Sequence, residues 1–279
     1  MQVARLGSVK AAAEELALST PALSRRLQAL ERFVGKQLFE RKHQALEINS
    51  DGQRLMDSIA PALDVMAQAI DELLTGETQL RLRLAVLPLF ASQRLFPRLA
   101  ELRQLHPMLH LDIETTPHAT GRLGEGLDAA IVLAEEVDPG LYSLELDHDD
   151  VLLIGARALL DGPDAIRRPD QLENMTILLH REMRGSFDAW KQAAGLPHLQ
   201  PAAIDNYDSG PLMLEAAAHG LGVAVMHASH YRQADDPRLT EILHVAVKSP
   251  YRYFFVCRQR ALQNRAVKLF HDWLAGADI

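Results

Sequence analysis

The chain has 279 residues, 48% hydrophobic and 24% charged, with a net charge of −8. That length suits more than one domain, and the composition is that of a globular protein. A single cysteine, Cys257, rules out an intramolecular disulfide and a cysteine-based zinc cluster. No apolar run approaches the ~18–20 residues of a membrane span, and the first residues lack the apolar core of a signal peptide, so a reducing cytoplasm is the expected location.

The charge is unevenly spread. Residues 5–43 carry eight basic and four acidic side chains, whereas residues 59–79 carry four acidic and no basic ones. A small basic head on an acidic body points to a head that meets a polyanion.

In the head, Val9, Ala12, Ala13 and Leu16 recur at helical spacing after Ser8, a suitable N-cap. Leu18-Ser-Thr-Pro21 breaks that helix. Thr20 is read as the cap of a second helix with Pro21 at its first position. Leu23, Leu27 and Leu30 form its apolar stripe, and Arg25, Gln28 and Arg32 lie roughly opposite, with Ala22 on the flank. Arginine and glutamine are side chains that read base edges in a major groove, so the pair of helices is a helix-turn-helix candidate. Leu38 to Ile48 reads as a hairpin with a basic tip, suited to touching phosphates.

The run Ala12-Ala-Glu-Glu-Leu-Ala-Leu-Ser-Thr-Pro-Ala-Leu-Ser-Arg-Arg-Leu27, then Leu30-Glu31 and Gly35-Lys-Gln-Leu-Phe-Glu-Arg41, resembles the winged helix-turn-helix of LysR-type transcriptional regulators. The resemblance implies that Ser19, Thr20, Pro21, Ala22, Ser24, Arg25, Arg26 and Gln28 face DNA, and that Arg41, Lys42 and His43 form the wing. Thr20 stands where the family usually has glutamine, and Ile48-Asn49 where it usually has Leu-Thr. Much of the family's first helix is missing, so the apolar face of residues 9–16 is expected to be under-covered.

From Gln53 to Leu74, the residues Met56, Ile59, Leu63, Met66, Ile70 and Leu73 repeat at alternating spacings of three and four. A heptad seam on a helix of about 22 residues calls for a partner, with Pro61 a place for a kink. The resemblance implies the same dimerising linker helix. The expected organisation is a DNA-binding domain over 1–58, a linker helix over 59–79 and a third region over 80–279.

In that region apolar strands near 82–87, 109–115, 128–133, 151–155, 175–180 and 223–226 alternate with helices near 92–105, 119–126, 186–194, 209–219 and 261–275. Such alternation predicts an α/β fold with mainly parallel sheets and ligands at the carboxyl ends of strands. Leu89 to Leu99, His106-Pro107 and Glu215 to Ala224 resemble the LysR-type effector domain, closest in detail to the branch that regulates glycine cleavage and β-lactamase expression. The resemblance implies a periplasmic-binding-protein fold. Its two lobes would be 80–148 with 252–279, and 149–251, with crossings near 147–150 and 248–252. The implied pocket residues are Pro88, Leu89, Phe90, Ser92, Leu133, Ala134, His180, Arg181, Tyr207, Asp208, Ser209, Met226 and His227. Ser92 and Ser209 are expected at helix N-termini that suit an anion, and Arg181 could pair with a carboxylate. Leu133 stands near where the branch usually has arginine.

Enzyme motifs are weak. Asp147-His-Asp-Asp150 puts adjacent side chains on opposite faces of an extended segment, an awkward arrangement for one metal. Gly121 to Gly126 matches no phosphate loop, and no nucleophile elbow or zinc-protease motif occurs. Cys257 sits in the apolar run Tyr253-Phe-Phe-Val-Cys257 and reads as an inert thiol. The sequence therefore favours a regulator with no cofactor. Its implied partners are duplex DNA, a small-molecule effector, further copies of itself as a dimer or tetramer, and possible contact with RNA polymerase. The alternative is a solute-binding or enzymatic two-lobe protein whose head is an interaction module.

Overall fold

A computed structural model describes residues 2–42, 45–56, 58–59, 62–63, 66, 80–116, 119–163 and 165–277. It divides into two compact units, residues 1–78 and 79–279.

The first unit begins with helices α1 (Gln2–Leu6), α2 (Val9–Glu15) and α3 (Thr20–Val34). Ser8 caps α2, its Oγ accepting from the Ala11 N–H. Ser19, not Thr20, caps α3, its side chain accepting from the Ala22 N–H. The cap moves back one residue because Ser19 has extended backbone geometry while Thr20 is already helical. Gly35 ends α3 in the left-handed conformation (φ 74°), which costs glycine nothing. Val3 packs with Ala12, Ala13 and Leu23, and Ala12 and Ala13 are fully buried. The short α1 thus covers the middle of the α2 face, so the expected under-covering is confined to its end. Only Leu16, at its end, is exposed.

The antiparallel hairpin β1 (Phe39–Lys42) and β2 (Ala45–Ile48) follows, tied to α1 by a Leu46 N–H to Gly7 carbonyl bond of 2.9 Å. Residues 50–56 are helical. Asn49 caps that helix, accepting from the Gly52 N–H at 2.9 Å and donating to the Gln37 carbonyl. The Thr-to-Asn departure therefore exchanges one good cap for another.

The second unit holds two five-stranded sheets. The first contains β3 (Leu80–Val86), β4 (Leu109–Glu114), β5 (Ala129–Ala134), β6 (Leu141–Asp147) and β12 (Arg252–Arg258) in the order β4-β3-β5-β12-β6. The second contains β7 (Asp150–Ala156), β8 (Thr176–His180), β9 (Ala203–Tyr207), β10 (Val223–His227) and β11 (Leu239–Lys248) in the order β11-β7-β10-β8-β9. Both sheets are mixed. β3 runs parallel to β4 and β5, but β12 is antiparallel to both its neighbours. Likewise β8, β9 and β10 are parallel, but β7 is antiparallel to β10 and β11. The expectation of mainly parallel sheets fails because strands that pass from one lobe to the other enter their new sheet running against the local direction.

Helices cover both faces, which explains the unbroken apolar strands. On β7, Val151 and Leu153 join one core with Phe187 and Trp190, while Leu152 and Ile154 join another with Met213 and Ala217. In the first lobe Leu82, Leu84 and Phe255 pack on Phe90, Leu102 and Phe270. The covering helices are α4 (Phe96–Leu105), α5 (Gly185–Ala193), α6 (Gly210–Ala218), α7 (Ala228–Ala234) and α8 (Arg265–Gly276). Ahead of α4 stand a short helical turn, Pro88–Phe90, and a π-helical turn, Ala91–Leu95. The helix expected over 119–126 is only a 3-10 turn, Thr120–Arg122, where Gly124 and Gly126 take positive φ.

Candidate functional site

Among the described residues, two places gather candidate functional side chains. On the first unit, α3 buries Leu23 and half-buries Leu27, and leaves Thr20, Pro21, Arg25, Arg26, Gln28 and Arg32 exposed. Ser19 is exposed at the cap, and Ala22 and Ser24 are half-buried. The Arg25 Nε donates to the Pro21 carbonyl and the Arg32 Nε to the Gln28 carbonyl, each at 3.3 Å. These bonds run along the helix axis and hold each side chain by one nitrogen. Leu30, expected on the apolar stripe, is exposed. Arg41 and Lys42 lie on β1 beside the hairpin tip, and His43 falls outside the described residues. Of the heptad positions, Ile59, Leu63 and Met66 are exposed, Met56 is half-buried, and Ile70, Leu73 and Pro61 fall outside the described residues.

The second place is a narrow cleft between the two sheets. Leu87, Pro88 and Leu89 after β3, Leu133 on β5, Leu179 and His180 on β8, Asp208 after β9, and Met226 and His227 on β10 all line it. These are carboxyl ends of strands. Of the residues singled out from sequence, Pro88, Leu89, Leu133, His180, Asp208, Met226 and His227 meet there. Phe90 is fully buried in the first-lobe core. Ala134 and Tyr207 are half-buried outside the lining, as is Ser209, the cap residue of α6, whose side chain makes no capping bond. Ser92 is not at a helix N-terminus. It lies inside the π-helical turn, exposed, with its hydroxyl donating to the Leu89 carbonyl. The Arg181 side chain is exposed, while its backbone N–H donates to the Tyr207 carbonyl at 2.7 Å.

Sequence reasoning missed the floor of the cleft, where His230 and Tyr253 join His227. His230 Nδ1 lies 2.5 Å from the Gln93 Oε1, and Nε2 lies 2.6 Å from the Tyr253 hydroxyl. The Gln93 amide donates to the His230 carbonyl, so its oxygen can only accept. Nδ1 must therefore carry the proton, and the Tyr253 hydroxyl donates to Nε2. Burial pushes the His230 ring down to about 3 and the His227 ring down to about 4, so both are neutral near pH 7. Burial also lowers His180. His227 Nε2 lies 2.9 Å from the Ser249 hydroxyl, on the second crossing between lobes.

Behind the floor, Arg94 is nearly buried, with its guanidinium 5.6 and 5.3 Å from the centres of the Phe90 and Tyr253 rings. It donates to Asp147 and to the Ser229 hydroxyl, each at 2.6 Å. Arg94 and Gln93 come from the first lobe, and Ser229 and His230 from the second, so these bonds clasp the lobes together. Asp149, on the first crossing, accepts from the Ser229 and Asp150 N–H groups. Burial alone would raise its carboxyl, but these bonds outweigh burial and hold it below the usual range. The crossings touch one another through a Ser249 N–H to Asp149 carbonyl bond of 3.0 Å.

Cys257 is buried on β12, and burial pushes its thiol up to about 11, which suits packing and not nucleophilic chemistry. No group of three or more metal-ligating side chains occurs among the described residues. No helix among them is long and apolar enough to cross a membrane.

Comparison with known proteins bears on both places. Residues 1–53 match the bacterial regulatory helix-turn-helix family of LysR type, and residues 75–278 match the LysR substrate binding domain. The chain is 26% identical over 272 residues to the glycine cleavage system transcriptional activator of Escherichia coli K12, covering 97% of this chain and 89% of that one. It is 32% identical over 279 residues to the transcriptional activator AmpR of Rhodobacter capsulatus, covering 98% and 92%. Among solved structures, the effector domain of AmpR from Pseudomonas aeruginosa superposes with a TM-score of 0.62 at 25% identity, covering 71% of this chain and 94% of that one. With a helix-turn-helix at one end and a two-lobed α/β effector-binding domain at the other, the chain belongs to the LysR family of transcriptional regulators and is not an enzyme.

Proposed function

We propose that α3 reads operator DNA through Arg25, Arg26, Gln28 and Arg32, that the hairpin carrying Arg41, Lys42 and His43 touches the backbone beside it, and that a small molecule in the cleft sets the protein's activity. The observation that carries the DNA half is the exposed polar face of α3, with Arg25 and Gln28 clear of any core. Both side chains fit purine edges in the major groove. The exposed Ile59, Leu63 and Met66 support a second copy of the chain along the linker, which gives the two-fold pair of reading helices that near-palindromic sites need. Acting on DNA, the protein works in the cytoplasm.

The effector half rests on the cleft's position at strand ends, with a polar clasp across its floor. A ligand shifts the protein between arrangements only through its differential affinity for them. A bond from the ligand to the Tyr253 hydroxyl oxygen would favour one setting of the clasp. The experiment is a thermal-shift screen of small metabolites, followed by mobility-shift titration of the gene's upstream DNA with each compound that raises the melting temperature. At least one stabilising compound is expected to change the retardation. Stabilising compounds that all leave retardation unchanged would separate the cleft from regulation.

A further inference from the structure

The cleft, taken as the effector site proposed above, carries an electrostatic signature that narrows its ligand. Leucine, valine, methionine and proline make up most of the lining, and Asp208 at the mouth is the one carboxylate among the described lining residues. Neither lysine nor arginine is among them. The nearest buried cation, Arg94, sits behind Tyr253 and is already paired with Asp147. Asp149, on the first crossing, adds a negative charge beside the floor. The floor histidine His230 has both ring nitrogens engaged and offers no positive charge near pH 7.

Helix α6 opens at Gly210 on the cleft wall, and its first N–H groups favour negative charge. Asp208 lies two residues ahead of it on the same wall. The Arg181 guanidinium is exposed and outside the lining, although its charge is felt at His180 on the wall together with those of Asp208 and Glu182.

We propose that the cleft takes a ligand with an apolar body and a protonated amine, the amine paired with the Asp208 carboxylate, and turns away the matching carboxylate. An ammonium beside Asp208 gains a charge pair in a half-dry site. A carboxylate there meets the like charge of Asp208 and must also shed its water.

The test is isothermal titration of the full chain near neutral pH with three probes that share one apolar body: phenylbutylamine, phenylbutyramide and phenylbutyrate. The amine is expected to bind about tenfold tighter than the carboxylate. D208N is expected to bring the amine to the level of the amide and to leave the amide unchanged. Since Asp208 is exposed, the variant's melting temperature is a control that the fold persists. A carboxylate that binds as tightly as the amine, or a D208N chain that keeps the preference, overturns the charge assignment while the cleft remains a binding site. Silence from all three probes overturns the assignment too, and the cleft reading falls with it if the metabolite screen also leaves the melting temperature unmoved.

Discussion

Arg25 and His230 mark the two ends of what one side chain can reveal. Arg25 is legible in the sequence because its role depends on helix phase alone: it lies opposite Leu23 and Leu27, and it is exposed. R25A is expected to weaken operator binding by about 1–3 kcal/mol and to relax base preference at one position, checked by fluorescence anisotropy against base-substituted duplexes. His230 is not legible, because Gln93 and Tyr253 reach it from distant segments. Its burial has a consequence for pH. His227 and His230 are held neutral in the fold, while in the unfolded chain they titrate near pH 6.5. Their folded values lie below the unfolded one, so their contribution is intact above pH 6.5. It is lost as pH falls toward about 4 for His227 and about 3 for His230, at about 1.4 kcal/mol per histidine per pH unit. Asp149, held low by its hydrogen bonds, adds to the loss further down the acid range. Urea unfolding between pH 7 and 5 is expected to show this slope, and a folded H230Q chain should show a shallower one. An identical slope would mean that His230 protonates freely in the fold.

Secondary structure is legible where the apolar pattern is strong and dim where it is not. Buried strands such as β7 and β10, covered on both sides, announce themselves as apolar runs. β9 does not, because at the sheet edge its residues are exposed or half-buried and its sequence is Ala-Ile-Asp-Asn-Tyr. β11 is masked for another reason. A bulge between Ile242 and Val247 breaks its alternation, with Leu243 and His244 at positive φ. The π-helical turn before α4 places Ser92 in a helix interior instead of at a helix start, which removes an anion site that the sequence suggests. Along the linker, the heptad spacing is plain, and the exposure of Ile59, Leu63 and Met66 leaves that face without cover from the described residues of its own chain. L63D should therefore destabilise the oligomer by placing a charge in the seam. Sedimentation is expected to show a shift toward monomer at micromolar concentration. A mass equal to that of the unaltered protein would show that the face packs elsewhere.

For the molecule as a whole, the resemblance draws the architecture correctly and the pocket only in outline. Residues at or just after strand ends, such as Leu89, His180 and Asp208, line the cleft. The floor and clasp depend on how two lobes close, which no local pattern encodes: Gln93 and Arg94 cross to His230 and Ser229 from more than a hundred residues away. The charge divide along the chain has a matching division of labour. The basic head suits a polyanion, and the cleft lining, free of basic side chains among the described residues, suits a different kind of ligand. The central claim is that α3 enters duplex DNA. It is tested most directly by anisotropy titration of the gene's own upstream duplex across a range of salt. The account predicts saturable binding whose logarithm falls linearly with the logarithm of salt, as phosphate contacts release counterions, and which R25A weakens at every salt concentration. Binding that is absent at all protein concentrations, or equally tight in high salt and in R25A, would contradict it.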